Sequence, residues 1–355
     1  MRKLLVLLLV LAVVSGAFAQ NVKVSGDVRM DMGWTTNKTT FDGNESEVNK
    51  WYWSPADSNV TDWGSVTFSV DAGKVSGWLK ARSDLAFFGG ANVDIIDNTL
   101  GLGFGYDRLP FSYWSSYDIQ ADNHYSIGAS SIASSPFLQI NILKNIFVGF
   151  ADGGKIDGVE DVGREWMPYI YAGYNHPEDG DITFGLGFIG SNFLKAFDDK
   201  DVFSWMAKGY FKYIGNDVVT VGVNLAFYSA PQYAGIFDIN GNTALYYKNI
   251  SSEGFYSSAG KDDMVLEALL DAGINLPICD IGIGVGLVMN LADKEKGGGS
   301  MGFKLGLDAA FDIGSTGFTV TPGFSFQSSD INVPSSDKNA TINELNFGIA
   351  FCYSF

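Results

Sequence analysis

Three features of the sequence predict an all-β fold, a transmembrane antiparallel up-and-down β-barrel of about sixteen strands. Apolar residues recur with a period of two over long runs, connections alternate between short and long, and the chain ends inside such a run on an aromatic residue. Composition agrees. The 43 glycines, 14% aromatic residues and only 18% charged residues suit many strands joined by turns.

The elements follow in order. Met1, Arg2 and Lys3 give a positive start, Leu4 to Val14 an uninterrupted apolar run, and Ala17, Phe18 and Ala19 a small-x-small site before Gln20. This is the pattern of a secretory signal peptide over residues 1–19, which leaves residues 20–355 as a single barrel domain. No later segment approaches the roughly 20 apolar residues a helix needs to cross a bilayer, so any membrane crossing is made by strands.

The first strand sets Val22, Val24, Gly26, Val28, Met30, Met32 and Trp34 against Lys23, Ser25, Asp27, Arg29 and Asp31. The same alternation marks Val66 to Ala72, Val75 to Leu85, Phe203 to Tyr213, Val219 to Phe227, Leu266 to Leu276, Ile281 to Leu291, Met301 to Ile313 and Phe318 to Phe326. In none of these does Asp, Glu, Lys or Arg fall on the apolar face. Many of the runs exceed the usual strand of about 5–6 residues and match the roughly 9–11 of a strand tilted across a bilayer. The last strand carries Leu345, Phe347, Ile349, Phe351, Tyr353 and Phe355 on one face, with Glu344 to Ser354 on the other.

Tight turns are expected at Asp71 to Lys74, Asp97-Asn98, Lys144-Asn145, His176 to Asp181, Ile214 to Asp217, Pro277 to Asp280 and Gly314 to Thr316. Between them lie mostly longer polar connections: Thr35 to Asp62, Asp107 to about Ser134, Ala151 to Arg164, Ser191 to Asp201, Ser229 to Asp263, Ala292 to Ser300 and Ser328 to Thr341. Strict alternation puts all short connections at one end of a barrel and all long ones at the other. The period is weakest at Ala91 to Ile96 and around Tyr125 to Ile142, so fourteen or eighteen strands stay open. Trp34 and Trp63 at one end and Tyr174, Tyr213 and Phe355 at the other fit the aromatic girdles of a membrane barrel.

With these residues in place, the sequence resembles a bacterial outer-membrane β-barrel of general-porin size. The resemblance is architectural and spans the whole chain after residue 19. It implies an integral protein of the outer-membrane bilayer that passes small hydrophilic solutes by diffusion, with no catalytic residues, cofactor or metal. It also implies that Phe355 is part of the signal read by the barrel-assembly machinery. In trimeric porins the second long-side loop reaches a neighbouring subunit. Here that connection, Phe87 to Gly90, is very short, which counts against a trimer and leaves the oligomeric state open.

If the apolar phase faces lipid, the other phase lines the channel with Lys23, Arg29, Lys80, Arg82, Lys208, Lys212 and Lys304 and with Asp27, Asp31, Asp84, Glu267, Asp271, Asp308, Asp312 and Glu344. The two signs nearly balance, so most of the net charge of −17 belongs to loops and turns. There it would enrich cations at a channel mouth and favour them weakly, or serve only to keep the surface soluble. The same charge argues against nucleic acid and anionic lipid surfaces as partners.

A sixteen-strand barrel is too wide for its own side chains to fill. The segment from Asp107 to Ser126 follows the fifth strand, and in general porins the loop at that place folds into the lumen. Asp107, Arg108, Asp118 and Asp122 would give a charged eyelet, and Phe111, Tyr113, Trp114 and Tyr117 would give rings on which sugars stack. An ordinary surface loop is the alternative. Gly101, Gly103 and Gly105, with Gly282, Gly284 and Gly286, leave wall area bare on the lumen phase. A third reading gives the long loops, above all Thr35 to Asp62 and Ser229 to Asp263, an adhesive or ligand-binding role at the cell surface.

Other signals are rejected. "GLGFGY" has its glycines every two residues inside a strand and lacks the helix that phosphate binding needs. Asp238 to Asn242 misplaces its glycine for a calcium loop, and Asn249 stands where a glutamate is needed. His124 and His176 lack a hydrolase context. Cys279 and Cys352 are too few for a disulfide scaffold; one bridge or two lone cysteines are both compatible with the sequence.

Overall fold

The computed structural model describes residues 22–53, 64–82, 87–107, 135–143, 145–152, 168–176, 181–191, 204–215, 218–229, 264–291, 299–332 and 338–355. Its strands are β1 (Val22–Phe41), β2 (Asn44–Trp53), β3 (Gly64–Asp71), β4 (Val75–Arg82), β5 (Phe87–Ile96), β6 (Leu100–Asp107), β7 (Ser135–Ile142), β8 (Ile146–Asp152) and β9 (Pro168–Asn175). They continue as β10 (Ile182–Ser191), β11 (Ser204–Gly215), β12 (Val219–Ser229), β13 (Met264–Asn275), β14 (Asp280–Asn290), β15 (Met301–Asp312), β16 (Phe318–Asn332) and β17 (Asn339–Ser354). From β3 onward each strand pairs antiparallel with the next, and β17 closes the ring on β1 from Asp27↔Ser354 to Phe41↔Ala340.

Seventeen segments occupy sixteen positions, because β2 and β3 share one. The outer half of β1 pairs with β2, from Met32↔Trp53 to Phe41↔Asn44, and its inner half pairs with β3, from Val22↔Val70 to Val28↔Gly64. The two ladders are separated on β1 by a stretch only three residues long, Arg29 to Asp31.

This corrects the expectation of a long loop from Thr35 to Asp62, of which residues 35–41 and 44–53 are strand. The hairpin turns at Asp42 and Gly43, whose φ angles of 52° and 76° are those of the Asp-Gly turns that match strand twist. Lys338 clamps Asp42 from the β17 side, and Lys38 pairs with Glu45 at 3.0 Å. Valine at position 43 would carry the left-handed cost of about 1–2 kcal/mol. Because the turn lies far from the ring, limited proteolysis of G43V is expected to cut faster near residues 41–44 while the unfolding midpoint stays unchanged.

Two further boundaries move. Phe87 to Gly90 are not a connection but the start of β5, with Lys80↔Phe88 and Trp78↔Gly90 in register; the described part of β4 runs to Arg82, and residues 83–86 lie outside the described residues. Two successive glycines suggest a turn, yet here they admit a close approach, since a side chain at Gly90 would collide with the Trp78 indole and the Phe104 carbonyl. Ser328 to Asn332 and Asn339 to Thr341 also belong to β16 and β17 rather than to a loop.

The wall is uneven in height. Strands β3 to β10 run 7–10 residues, β11 to β15 run 11–12, and β16, β17 and β1 reach 15, 16 and 20. At about 3.3 Å per residue β1 is about twice as long as a hydrocarbon crossing requires. Its outer half rises with β2 as a ribbon. The outward residues show where the apolar band stops. On β17 they are Leu345, Phe347, Ile349, Phe351 and Tyr353 up to that level, then Asn343, Thr341 and Asn339 beyond it; on β1 Trp34 gives way to Thr36, Lys38 and Thr40. Trp34 meets Trp51 edge to face at 5.3 Å at this boundary, and its indole N–H donates to Thr36 Oγ1 at 2.8 Å. Trp63 lies outside the described residues.

Candidate functional site

Closure of the ring gives each strand an outward and an inward face, and the expected phases hold. Leu186, Leu225, Leu270, Leu307, Phe347 and Phe355 are exposed outward, while Thr183, Asn224, Asp271, Asp308, Gln327 and Asn346 alternate with them and are buried. The inward set is the candidate site, the barrel lumen.

Its two sides differ. Along β1 and β3 to β5 the inward residues Ser25, Asp27, Thr67, Ser69, Lys80, Arg82, Asn92 and Asp94 are all partly accessible. Along β12 to β17 most inward residues are buried, Asp271 at 1% and Asp308 at 2% among them. The expected lining residues therefore separate. Asp27, Lys80, Arg82, Lys212, Asp312 and Glu344 keep solvent contact, whereas Asp271 and Asp308 are enclosed. Arg29, Asp31, Lys208, Glu267 and Lys304 take inward register positions, opposite Cys352, Ala350, Ala226, Ala226 and Gln327 respectively.

On the accessible side, Asp27, Ser65 and Arg82 form one row across β1, β3 and β4. Ser65 Oγ donates to Asp27 Oδ1 at 2.6 Å, and the Arg82 guanidinium stands 5.5 Å from the centre of the Phe88 ring, a cation–π distance. Two strand spacings of about 4.8 Å separate the acidic and basic positions, so the lumen carries opposite charges side by side rather than one dominant sign.

The glycine-faced strand β6 lies between polar neighbours. A side chain at Gly103 would meet Asn92 Oδ1 at 2.7 Å, and one at Gly101 would meet Asp94 Oδ1 at 3.3 Å. Beside them Tyr171 donates to Gln139 Oε1 at 3.1 Å, and Tyr171 and Phe147 pack at 6.3 Å over Gly149 and Gly173. This inward aromatic pair was missed from the sequence. Its signal was Phe147 and Tyr171 standing in the phase opposite to Ile146, Val148 and Phe150.

Asp107 is the last residue of β6. Arg108, Phe111, Tyr113, Trp114, Tyr117, Asp118 and Asp122, the rest of the expected constriction, lie outside the described residues, as do Asp84 and His124. Gly282, Gly284 and Gly286 are buried on the inward face of β14. Both cysteines are free. Cys352 is on the inward phase of β17, and Cys279 is in the turn before β14. No cluster of three or more metal-ligating side chains occurs among the described residues.

At the closing end, the Phe355 amide donates to the Gly26 carbonyl at 3.0 Å and the Gly26 amide to the Phe355 carbonyl at 2.9 Å. The Phe355 ring lies over Gly26, where a side chain would meet the ring at 2.7 Å and the Ser65 carbonyl at 2.6 Å.

No protein-family model matches the sequence, and no curated protein matches it. Its structure is similar to that of OmpT, an outer membrane protein of Vibrio cholerae, in vitro folded, with a TM-score of 0.51, 12% identity and coverage of 94% of this chain and 97% of that one. The trimer form of the same protein matches with a TM-score of 0.51, 12% identity and coverage of 94% and 99%. An anion-selective porin from Comamonas acidovorans matches with a TM-score of 0.50, 12% identity and coverage of 94% and 99%. The fold is that of a porin-type outer-membrane β-barrel.

Proposed function

We propose that the protein is an integral outer-membrane channel through which small hydrophilic solutes diffuse passively, without covalent chemistry. The observation that carries this reading is the closed ring of sixteen strand positions with an apolar outer band and a polar inner face. Such a ring is too wide to be filled by its own side chains. In this reading residues 1–19 are a cleaved signal peptide, 20–355 fold as one domain, the barrel-assembly machinery reads the end at Phe355, and the segment from Asp107 to Ser126 narrows the lumen. Trimers are a feature of one structural neighbour and are a compatible state for this chain.

Among the accessible inward charges of the barrel wall, Lys23, Lys80, Arg82 and Lys212 stand against Asp27, Asp71, Asp94, Asp280, Asp312 and Glu344. The near balance supports weak selectivity, which the small acidic excess of the wall and the larger one of the whole chain tip toward cations. Refolded protein in planar bilayers is expected to give stable conductance and a small cation-positive reversal potential in a tenfold salt gradient. Removing positive charge from the accessible wall, K80S with R82S, should raise the cation-to-anion permeability ratio about twofold or more. Absence of conductance would count against the channel. Unboiled and boiled samples of equal gel mobility would count against the barrel.

The ribbon of β1 and β2 favours a second reading. It runs outward from the edge of the apolar band, with Trp51 72% exposed at that edge and Val48 59% exposed beyond it, a surface suited to ligand binding outside the cell.

A further inference from the structure

The lipid-facing wall is not smooth from β10 to β12. On β11 the outward positions Ala207 and Gly209 carry almost no side chain, and larger residues flank them on both neighbours, Phe188 and Leu186 on β10 and Phe227 and Leu225 on β12. These four project into the bilayer, Leu186 at 62% exposed. Between them lies a groove of about 740 Å³, its two ridges separated by two strand spacings of about 4.8 Å.

Both ends of the groove are marked. At one end Trp205, the next outward residue of β11, stacks on Phe188 at 6.3 Å. At the other end, past Phe211, Tyr213 stands opposite Ile182 beside the short turns, which face the periplasm in such barrels. At the same end the His176 ring stacks on Phe184 at 4.7 Å, and the Tyr174 hydroxyl lies 3.1 Å from His176 Nδ1. Tyrosines at this level sit among lipid headgroups.

The dimensions select the occupant. Ala207 and Tyr213 stand six positions apart on β11, about 20 Å along a strand. At a tilt of about 40° this is about 15 Å of depth, half of a hydrocarbon core of about 30 Å. The groove is thus one leaflet deep, polar at headgroup level and apolar below it, which is the profile of a lipid. A second barrel presents a convex wall that would rest on the four ridge residues before it reached Ala207 and Gly209, whereas a single alkyl chain enters between them. Because the surrounding hydrocarbon is as apolar as the groove, retention comes from contact on three sides and from the headgroup. When the Tyr174 hydroxyl donates to Nδ1, the ring proton of His176 is on Nε2, where a phosphate oxygen can accept it.

We propose that the groove over Ala207 and Gly209 holds one acyl chain of a phospholipid from the periplasmic leaflet, with His176 donating to its phosphate. The site requires the membrane fold and not the channel.

The full-length protein, refolded and purified in a nonionic detergent, is titrated with palmitoyl-oleoyl phosphatidylethanolamine and followed by native mass spectrometry. One retained lipid per chain is expected. A207L combined with G209V fills the floor of the groove. At Gly209 an added carbon first meets the flexible end of Leu186, at 2.9 Å, so the barrel should keep its folded gel mobility. Retention by this variant should fall about tenfold or more. A207L alone is read if the double variant loses that mobility. H176F keeps a ring against Phe184 and loses one hydrogen bond, so it should weaken phosphatidylethanolamine about fivefold and leave diacylglycerol, which has no phosphate, unchanged. No retained lipid in the wild type, or equal retention by the wild type and the filled variants, would overturn the site. Wild-type oligomers that the filled variants dissolve would give the groove to a second copy and overturn it as well. An equal effect of H176F on both lipids would overturn the phosphate contact.

Discussion

Replacing Leu225 with arginine is expected to destabilise the folded protein by about 2–4 kcal/mol, the cost of that side chain near the middle of a bilayer. Leu225 is 44% exposed, and on the surface of a water-soluble domain such a change would usually stay within about 0.5 kcal/mol. The difference arises because the outward face of β12 meets hydrocarbon, where a guanidinium has neither water nor a partner. Thr220 lies on the same strand with the opposite phase, partly accessible on the inward face, so T220R should cost far less. Reversible urea unfolding in lipid vesicles reads both. Equal and small effects would mean that the outward face is not lipid-facing, and the membrane assignment would fall with it.

Deleting Phe355 is expected to reduce assembled barrel at least tenfold while lowering the stability of barrels already formed by about 1–3 kcal/mol. The smaller figure follows from the contacts. Two backbone hydrogen bonds to Gly26 are lost at about 1 kcal/mol each, and the ring is 54% exposed, so its burial adds little. The larger effect belongs to the proposed recognition by the assembly machinery. The yield of heat-modifiable protein in the outer membrane reports assembly, and urea unfolding of the purified protein reports stability. F355Y, which keeps an aromatic ring over Gly26, should restore both. Parallel losses in yield and stability would reduce Phe355 to a structural residue.

The barrel was legible in the sequence wherever one face of a strand meets lipid. There the apolar residues must keep phase, as Met301 to Ile313 and Leu345 to Phe355 do, and a shift of one residue would put charge into hydrocarbon. The ribbon was not legible by that criterion. Beyond the band both faces of β1 and β2 meet water, so Thr36, Asn37, Lys38, Thr39 and Thr40 carry no apolar rhythm and resemble a loop. The signal that could have found it is the Asp42-Gly43 pair between threonine-rich and Glu/Val-bearing segments, a hairpin turn flanked by residues with strand propensity.

The start of β5 was misread for a related reason. Gly89 and Gly90 are compatible with a turn and with a close approach, and only the position of Trp78 on the neighbouring strand decides between them. The lumen was legible as to phase but not as to access. Lys80 and Asp308 occupy equivalent inward positions in their strand patterns, yet one is accessible and the other enclosed, a difference that the period of two does not carry. The same holds for Gln327, buried although its strand pattern matches that of accessible positions, with Lys304 opposite on β15 and Glu344 opposite on β17.

The sharing of one strand between ring and ribbon has a mechanical consequence. β1 is paired with β17 without interruption from Asp27 to Phe41, whereas on its other side the ladder is broken between Val28 and Met32. A pull on the ribbon tip, away from the membrane, would therefore load the β1–β17 seam in shear, all of its hydrogen bonds bearing force together. On the other side the same load meets a ladder in two parts, with β2 from Met32 to Phe41 and with β3 from Val22 to Val28. A tether held by the ribbon is thus anchored through the strand pair that closes the barrel.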